Sequence, residues 1–319
     1  MKFYECENGV LNQGNVLQEL KKLADKSVNC VITSPPYWQL RDYGFDGQWG
    51  LESTFQEYLE HLWSMMDEIW RVLRDDGTVW INLGDTYGGG NAGQGGDCGK
   101  HTNENPDING TRFNNGIKKP LSKCLLLIPH RFAIGCIDRG WIMRNDIIWA
   151  KRNGMPESCR DRFSKKHEYF FFMVKSQKYY FDLDGVRDKL KNNVEIRNKA
   201  SEIYGRGSGS KQFSEGSRIW GDENKGKNPG SVSDFWDIPT KPSKSKHYAS
   251  FNTQLIDKPI IAGCPEGGVI LDPFNGTGTT TLRAEQLRRN WIGIDGSEEY
   301  CEIAKARIIM ERSQLKMDF

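Results

Sequence analysis

The segment Ser34-Pro35-Pro36-Tyr37 brings together residue types that could hold a flat ligand carrying an amino group. The apolar run at 28–32 precedes it and predicts a short buried strand that ends at a turn. Two consecutive prolines fix φ and lack N–H groups, so their carbonyls and the Ser34 hydroxyl remain available as hydrogen-bond acceptors. Tyr37 could stack on a planar ring. The tetrad therefore predicts a pocket for an exocyclic amine, although a Pro-Pro turn that simply closes a strand explains it about equally well.

A second candidate site lies between residues 269 and 295. The pattern predicts a strand, a glycine-bearing turn, a helix and a second strand that ends in an acidic residue, which is the nucleoside-binding half of a Rossmann-like sheet. Gly276 and Gly278 would let the backbone approach a ligand, and Asp295 could accept hydrogen bonds from both ribose hydroxyls. Thr281 stands where a dinucleotide fingerprint has its third glycine. A compact nucleoside such as S-adenosylmethionine is therefore favoured over a diphosphate.

The apolar spacing around these segments predicts the elements that must position them. We expect a helix over 53–74 that Gly77 breaks, followed by a strand over 78–83. Residues 39–50 predict an exposed loop, and residues 168–181 predict a hairpin. Further strands are expected at 3–4, 28–32, 145–150, 269–271 and 291–294.

Composition limits the class of protein. The chain has 319 residues and a formal net charge of +2, so an anionic partner must be met by local patches of positive charge. Its eight cysteines never fall as Cys-x-x-Cys, which argues against a zinc site, and none follows a proline. No charged leader or long apolar run is present. We therefore expect a cytoplasmic, soluble protein that holds no metal.

Two long polar stretches interrupt the periodic pattern. Residues 86–120 are rich in glycine and asparagine, and a loop of that length is usually functional or disordered. Residues 185–245 interleave lysine and arginine with glycine, serine and aromatic residues, which favours a nucleic-acid surface over a solvated insert by about two to one. The residues that we expect to contact DNA are Trp38, Arg206, Lys211, Arg218, Lys225 and Lys227.

The tetrad at 34–37, followed far downstream by Asp-Pro-Phe-x-Gly-x-Gly-Thr-Thr at 272–280, resembles the beta-class amino DNA methyltransferases. Its leading serine is similar to that of the N4-cytosine subgroup. The resemblance covers nearly the whole chain and implies a Rossmann-like, circularly permuted α/β fold with a mixed seven-stranded sheet in which one strand is reversed. It divides the chain into a catalytic half at 1–184, with a mobile loop near 86–120, a target-recognition insert at 185–245 and a cofactor-binding half at 246–319.

The resemblance also implies a role for each motif. The target base would flip out of the duplex into a pocket, where Tyr37 stacks on it while Ser34 Oγ and the Pro35 carbonyl accept the two amine hydrogens. Direct in-line methyl transfer would then follow from positioning alone. C5-cytosine chemistry is disfavoured because it needs a cysteine nucleophile, usually in a Pro-Cys pair. The residues implied to be catalytic are Ser34, Pro35, Pro36 and Tyr37, and those implied to bind S-adenosyl-L-methionine are Asn15, Phe251, Asp272, Pro273, Phe274, Gly276, Gly278, Thr279 and Asp295.

The expected function is therefore methylation of cytosine N4 in double-stranded DNA, in a restriction-modification or DNA-protection role. A cognate restriction endonuclease is a candidate partner, and the chain would act as a monomer or a homodimer. N6-adenine methylation by the same fold is the alternative, disfavoured by about one to three because serine replaces aspartate in the tetrad. A catalytically inactive DNA-binding protein is a more remote alternative.

Overall fold

The computed structural model describes residues 1–88, 113–114, 117–118, 122–154, 157–187, 232–240 and 252–315. The chain divides into two units, one formed by Met1–Phe181 with Asp234–Phe319 and one formed by Asp182–Ser233. Of the second unit, the described part is its two ends, which include a 3-10 turn at Asp184–Val186. The larger unit contains the sheet and all the α-helices of the described residues.

A nine-stranded mixed sheet runs through the larger unit in the order β1-β2-β11-β10-β3-β4-β8-β7-β9, and β5 pairs separately with β6. In chain order the strands are β1 (Lys2–Cys6), β2 (Gly9–Gln13), β3 (Val28–Thr33), β4 (Leu73–Leu83), β5 (Phe113–Asn114), β6 (Ile117–Lys118), β7 (Ile142–Ala150), β8 (His167–Val174), β9 (Phe235–Asp237), β10 (Val269–Asp272) and β11 (Asn290–Asp295). Strand β2 pairs in parallel with β11. The first strands of the chain therefore extend the sheet beyond its last strand, which is the predicted circular permutation.

The sheet is larger than predicted, with nine strands instead of seven and two reversed strands, β1 and β8, instead of one. The additional strands lie at its edges. A β1–β2 hairpin forms one edge, and β9 pairs in parallel with β7 at the other. Because β9 comes from residues 235–237, part of the segment predicted as an insert at 185–245 belongs to the sheet.

Helices cover both faces of the sheet. They are α1 (Val16–Leu20), α2 (Phe55–Val72), α3 (Ile128–Asp138), α4 (Thr253–Gly263), α5 (Thr279–Gln286) and α6 (Glu298–Leu315). One apolar cluster joins α1, α2 and α3 to one face, and a second joins α4, α5 and α6 to the other. In β4, Val79 and Ile81 belong to the first cluster and Trp80 to the second, as expected for alternating side chains in a strand covered on both faces. None of the described helices is long and apolar enough to cross a membrane.

Two predicted boundaries were wrong. Helix α2 ends at Val72, and Gly77 lies inside β4, where an added Cβ would be 2.7 Å from the Leu73 side chain. The glycine is therefore needed for close packing and does not end the helix. The predicted hairpin at 168–181 is also absent, because β8 pairs with β4 and β7 and the following residues 179–181 form no strand.

A buried hydrogen bond joins the ends of β3 and β10, which are parallel neighbours. Thr33 Oγ1 donates to Asp272 Oδ1 at 2.6 Å, and the same oxygen accepts from the Phe274 backbone N–H at 3.1 Å. Burial raises the pKa of Asp272 to about 6, while the bond from Thr33 opposes this rise. Asp272 therefore stabilises the folded state most at low pH, and this contribution to the free energy of unfolding is lost as the pH rises from about 4 through about 6. The hydrogen bond from Thr33 makes the loss smaller, because it stabilises the charged carboxylate.

Replacing Thr33 with valine should destabilise the protein more at pH 8 than at pH 5. At pH 8 Asp272 is charged and loses a donor worth about 1.5–3 kcal/mol, whereas the protonated carboxyl at pH 5 loses a neutral hydrogen bond worth about 1 kcal/mol. Urea unfolding of Thr33→Val and of the unmodified protein at both pH values measures the difference. An equal loss of unfolding free energy at the two pH values would show that the hydroxyl does not stabilise the charged form.

Candidate active site

A cavity of about 440 Å³ lies at the carboxyl edge of the sheet, within the size range of small-ligand sites. Its walls come from the segments that follow β2, β3, β10 and β11, from the ends of β4, β7 and β8 at the same edge, and from the loop at 40–49. This is where an open α/β sheet is expected to bind its ligands. The predicted site residues that line it are Asn15, Ser34, Pro35, Pro36, Tyr37, Pro273, Phe274, Gly276 and Asp295.

Three residues predicted to bind the cofactor do not line the cavity. Asp272 is buried against Thr33. Gly278 is the N-cap of α5 with φ +80°, and a Cβ there would lie 2.8 Å from Ala304 of α6. Thr279 is buried, and its Oγ1 accepts from Arg307 at 3.4 Å. Asp272 attaches the end of β10 to β3, and Gly278 and Thr279 attach the turn after β10 to α6, so all three act behind the cavity wall.

Trp38 was predicted to contact DNA, but the structure places it in the core. Its ring is buried edge-on against Phe55, with centroids 6.0 Å apart, and its Nε1 donates to the Glu52 carbonyl at 3.0 Å. A large aromatic residue whose polar atom is satisfied inside the protein is a packing residue. The other predicted DNA contacts, Arg206, Lys211, Arg218, Lys225 and Lys227, lie outside the described residues, as does Phe251, which was predicted to bind the cofactor.

One side of the cavity, here the Asp295 wall, consists of Gly14, Asn15, Phe274, Gly276, Asp295, Gly296 and Tyr300. Asp295 Oδ2 accepts from the Gly276 N–H at 2.7 Å, and Oδ1 accepts from the Ser297 N–H at 2.9 Å. Each carboxylate oxygen has one backbone donor and retains further acceptor capacity. Burial raises the pKa of this carboxyl to about 6. Gly276 has φ +50°, and no atom lies within 4 Å of the position that a Cβ would take, so a ligand can approach its backbone.

The loop at 39–50 is exposed at residues 40, 42, 44, 46 and 47, as predicted, but its aromatic side chains also cover the Asp295 wall. Trp49 is buried and meets the Phe274 ring edge-on, with centroids 5.3 Å apart. A Cβ on Gly296 would lie 2.4 Å from the Phe45 ring, so the loop packs directly on the residue that follows β11. The aromatic residues of this loop are therefore wall residues, which local polarity did not indicate.

The opposite side of the cavity, the Tyr37 wall, consists of Ser34, Pro35, Tyr37, Asn82, Trp149, Lys151 and Glu168. The Tyr37 hydroxyl lies 2.8 Å from Glu168 Oε2 and 2.9 Å from Asn82 Oδ1. It has one hydrogen and can donate to one of them at a time. When it donates to Glu168, Asn82 Oδ1 can accept from Ser34 Oγ, which lies 3.4 Å away. Burial, reinforced by the Glu168 carboxylate, holds the pKa of Tyr37 well above its ordinary value, so the phenol stays neutral.

An ion pair between Lys151 and Glu168 closes the Tyr37 wall. Lys151 Nζ donates to Glu168 Oε1 and also lies over the Trp149 ring, 4.2 Å from its centroid. Sequence reasoning missed Asn82, Lys151 and Glu168 as site residues. The pairing of β8 with β4 and β7 brings these residues to the site. Strands β4 and β7 end at the edge of the sheet where the tetrad lies, and the reversed strand β8 begins there.

Comparison with known proteins identifies the family. A family model described as DNA methylase matches residues 28–306. The chain belongs to the DNA methylase family. It is 36% identical over 308 residues to the Type II methyltransferase M.Cfr9I of Citrobacter freundii, covering 95% of this chain and 89% of that protein. It is 35% identical over 305 residues to M.XycI of Xanthomonas campestris pv. cyanopsidis, covering 96% and 89%.

Solved structures of other DNA methylases share the fold. The PvuII DNA methyltransferase (cytosine-N4-specific) gives a TM-score of 0.62 at 17% identity, covering 95% of this chain and 87% of that chain. A putative DNA modification methylase of Thermus thermophilus, complexed with S-adenosyl-L-methionine, gives a TM-score of 0.55 at 22% identity, covering 94% and 93%. Three predictions are thereby confirmed: the chain is a DNA methyltransferase, its fold is the α/β methyltransferase fold, and its cofactor is S-adenosyl-L-methionine.

The Asp295 wall of this DNA methylase has the groups that S-adenosyl-L-methionine requires. Asp295 would accept from the ribose hydroxyls, and the open backbone at Gly276 leaves room beside them. Phe274 lines the same wall and could offer the adenine an apolar surface. Asn15 caps α1 by accepting from the Leu17 N–H at 3.1 Å, so its amide hydrogens remain available to the cavity. The donor and acceptor set therefore fits the cofactor. Among the described residues, no group of acidic, cysteine or histidine side chains could hold a metal ion.

Replacing Gly84 with alanine should impair methyl transfer while leaving the protein folded. Gly84 follows β4, and a Cβ there would lie 2.5 Å from Tyr37 Cε2, so the ring and its hydroxyl must move. A displacement of that kind lowers activity by about tenfold to a hundredfold. Transfer of labelled methyl groups to duplex DNA measures the effect.

Gly267→Ala provides the matched control. Gly267 precedes β10, has φ +74° and has no atom within 4 Å of an added Cβ, so alanine there strains the backbone by about 1 kcal/mol without touching the cavity. We expect this variant to keep its activity. Similar activity losses in the two variants would mean that Gly84→Ala acts through general destabilisation.

Proposed function

We propose that this DNA methylase transfers a methyl group from S-adenosyl-L-methionine to the N4 amine of cytosine in double-stranded DNA. The observation that carries the proposal is the Tyr37 wall, in which neutral acceptors from the tetrad lie beside the half-buried ammonium of Lys151 in the same cavity as Asp295. The target base must leave the duplex to reach such a cavity. The ring of Tyr37 lines the cavity and offers a surface for stacking.

The hydrogen bonds of the two prolines support the assignment of acceptors. The Pro36 carbonyl accepts from the Tyr58 hydroxyl at 2.8 Å, which fixes the tetrad to α2. The Pro35 carbonyl has no such partner among the described residues, and Pro35 is one of the residues that line the cavity. We therefore assign Pro35, together with Ser34 Oγ, as the acceptors of the two amine hydrogens, which orients the nitrogen lone pair towards the Asp295 wall.

Positioning is the main contribution of these residues. S-adenosyl-L-methionine supplies an electrophilic methyl group on a sulfonium sulfur. Ser34 Oγ has an amide oxygen, Asn82 Oδ1, as its neighbour, and an amide cannot remove the serine proton at neutral pH. Ser34 therefore acts as a hydrogen-bond acceptor for the amine, and the amine proton is released to water after transfer. No cysteine lines the cavity among the described residues, which agrees with direct transfer.

Lys151 supports cytosine as the base. Beside N4, a flipped cytosine presents two acceptors, N3 and O2, whereas adenine presents N1 followed by a C–H group. Enzymes that flip a base read it through hydrogen bonds to this edge. The Lys151 ammonium, held by Glu168 and by the Trp149 ring, is a donor suited to the cytosine edge. The relatives carry the name Type II methyltransferase, and we propose the corresponding role in restriction-modification, beside an endonuclease of the same specificity.

Nucleoside mass spectrometry tests the base. Duplex DNA of mixed sequence, incubated with the protein and S-adenosyl-L-methionine carrying a labelled methyl group, should yield N4-methylcytosine. Ser34→Ala, which removes one of the two acceptors, should lower the yield by at least about a hundredfold while leaving cofactor affinity unchanged. If the product is N6-methyladenine, the target base is adenine and not cytosine. Full activity of Ser34→Ala would contradict the role of the serine.

Asp295 should make cofactor affinity depend on pH. Its pKa of about 6 leaves the carboxylate charged above that value and protonated below it. A proton on the carboxyl removes an acceptor from the ribose hydroxyls, so affinity should weaken as the pH falls through 6, by up to about tenfold per pH unit. Isothermal titration calorimetry with S-adenosyl-L-methionine between pH 5 and 8 measures this dependence of affinity on pH.

Two variants test whether the Asp295 carboxylate itself causes the pH dependence of cofactor affinity. Asp295→Asn should bind weakly at pH 8 and show little change with pH. Glu298→Gln, at an exposed position three residues along the chain, should reproduce the wild-type curve. Wild-type affinity that is the same at pH 5 and pH 8 would show that the Asp295 carboxylate does not contact the cofactor.

A further inference from the structure

Phe163 is an aromatic side chain held almost entirely in solvent. It is 97% exposed, more than any other large apolar residue in the described part of the chain. Single exposed apolar residues are common on protein surfaces and carry little information by themselves. What distinguishes Phe163 is its position and its neighbours.

Phe163 lies in the connection between β7 and β8, at the rim of the Tyr37 wall. The two ends of that connection carry the cavity residues Lys151 and Glu168. The Lys166 carbonyl accepts from the Lys151 N–H at 2.8 Å, and Lys165 Nζ donates to the Asp85 carbonyl, just beyond β4. Residues 157–166 are therefore attached beside the part of the cavity that would receive the target base.

The connection is strongly basic. Residues 151–166 contain six lysines and arginines and two acidic residues. Arg160 is exposed and forms no ion pair within the part of the chain that the structure describes. Arg162 is bound to Glu157, lies over the Tyr87 ring at 4.0 Å and donates to the Phe163 carbonyl at 3.1 Å. The backbone is thus held in place while the Phe163 ring projects from a cationic surface.

We propose that residues 157–166 form a DNA-binding surface on which Phe163 is the intercalating side chain. Its ring enters the base stack when the target base moves into the cavity, and the surrounding cations meet the phosphates. A polyanion suits this surface better than the apolar face of another protein, because positive charge surrounds the ring. The inference rests on the proposed function, since it assigns the flipped base to the cavity beside the loop.

Two short duplexes test this role once the modified position has been located by sequencing methylated DNA. They are identical except opposite the target base, where one carries the normal partner and the other an abasic site. Phe163→Ala should lower kcat/KM on the paired duplex by at least about fivefold, the value of one stacking contact. The loss should shrink on the abasic duplex, where opening the target requires no base pair to break.

Two further variants and one optical signal complete the test. Phe163→Trp should restore activity, and Met310→Ala, which removes another apolar side chain that is 62% exposed on α6, should change nothing. A fluorescent cytosine analogue at the target position should brighten on binding the wild type and brighten less with Phe163→Ala at saturating protein.

Each contrary outcome has a distinct meaning. Wild-type rates for Phe163→Ala on both duplexes would overturn the proposal. Equal losses on both duplexes, with unchanged fluorescence, would mean that the ring docks against DNA or another macromolecule without opening the base pair, and would overturn the intercalating role. A wild-type protein that methylates no cytosine in duplex DNA of mixed sequence would refute the proposed function before the duplexes are built, and the role of Phe163 with it.

Discussion

The pairing of β3 with β10 is the constraint on which the rest of the site depends. The tetrad follows one strand and the glycine turn follows the other, and parallel neighbours end at the same edge of a sheet. Segments separated by more than two hundred residues therefore meet without any special loop. The buried bond between Thr33 and Asp272 fixes the two strand ends relative to each other. Circular permutation changes the order of the segments along the chain and leaves this neighbour relationship intact.

Near the ends of β3 and β10, some polar groups form hydrogen bonds within the protein and others remain available to ligands. The Pro36 carbonyl accepts from the Tyr58 hydroxyl, whereas Pro35 lines the cavity and its carbonyl has no hydrogen-bond partner among the described residues. Asp272 is used within the sheet, whereas Asp295 keeps acceptor capacity after two backbone bonds. Burial raises the pKa of both carboxyls to about 6, so burial alone does not distinguish a structural acid from a ligand-binding one. Access to the cavity makes that distinction, because Asp295 lines it and Asp272 lies behind its wall.

The sequence was sufficient for the parts of the site that are local in the chain. The tetrad and the Asp295 strand end could be predicted because each needs only a few neighbouring residues of fixed type. Trp38 was wrongly placed because its position next to the tetrad says nothing about the direction of its side chain, which packs on Phe55. The strand count was wrong because β9 has three residues and no apolar alternation of its own, and it exists only through pairing with β7.

The reversed strand β8 explains both the missed residues and the location of the DNA-facing loop. A strand antiparallel to β4 starts where β4 ends, so Glu168 reaches Tyr37 although 131 positions separate them. For the same reason β7 and β8 are joined at the edge where the cavity lies, and their connection must pass its rim. The ion pair that closes the Tyr37 wall and the basic segment with Phe163 thus belong to one hairpin. A shift of that hairpin would move both together, which couples the fit of the target base to the position of the surface that meets the duplex.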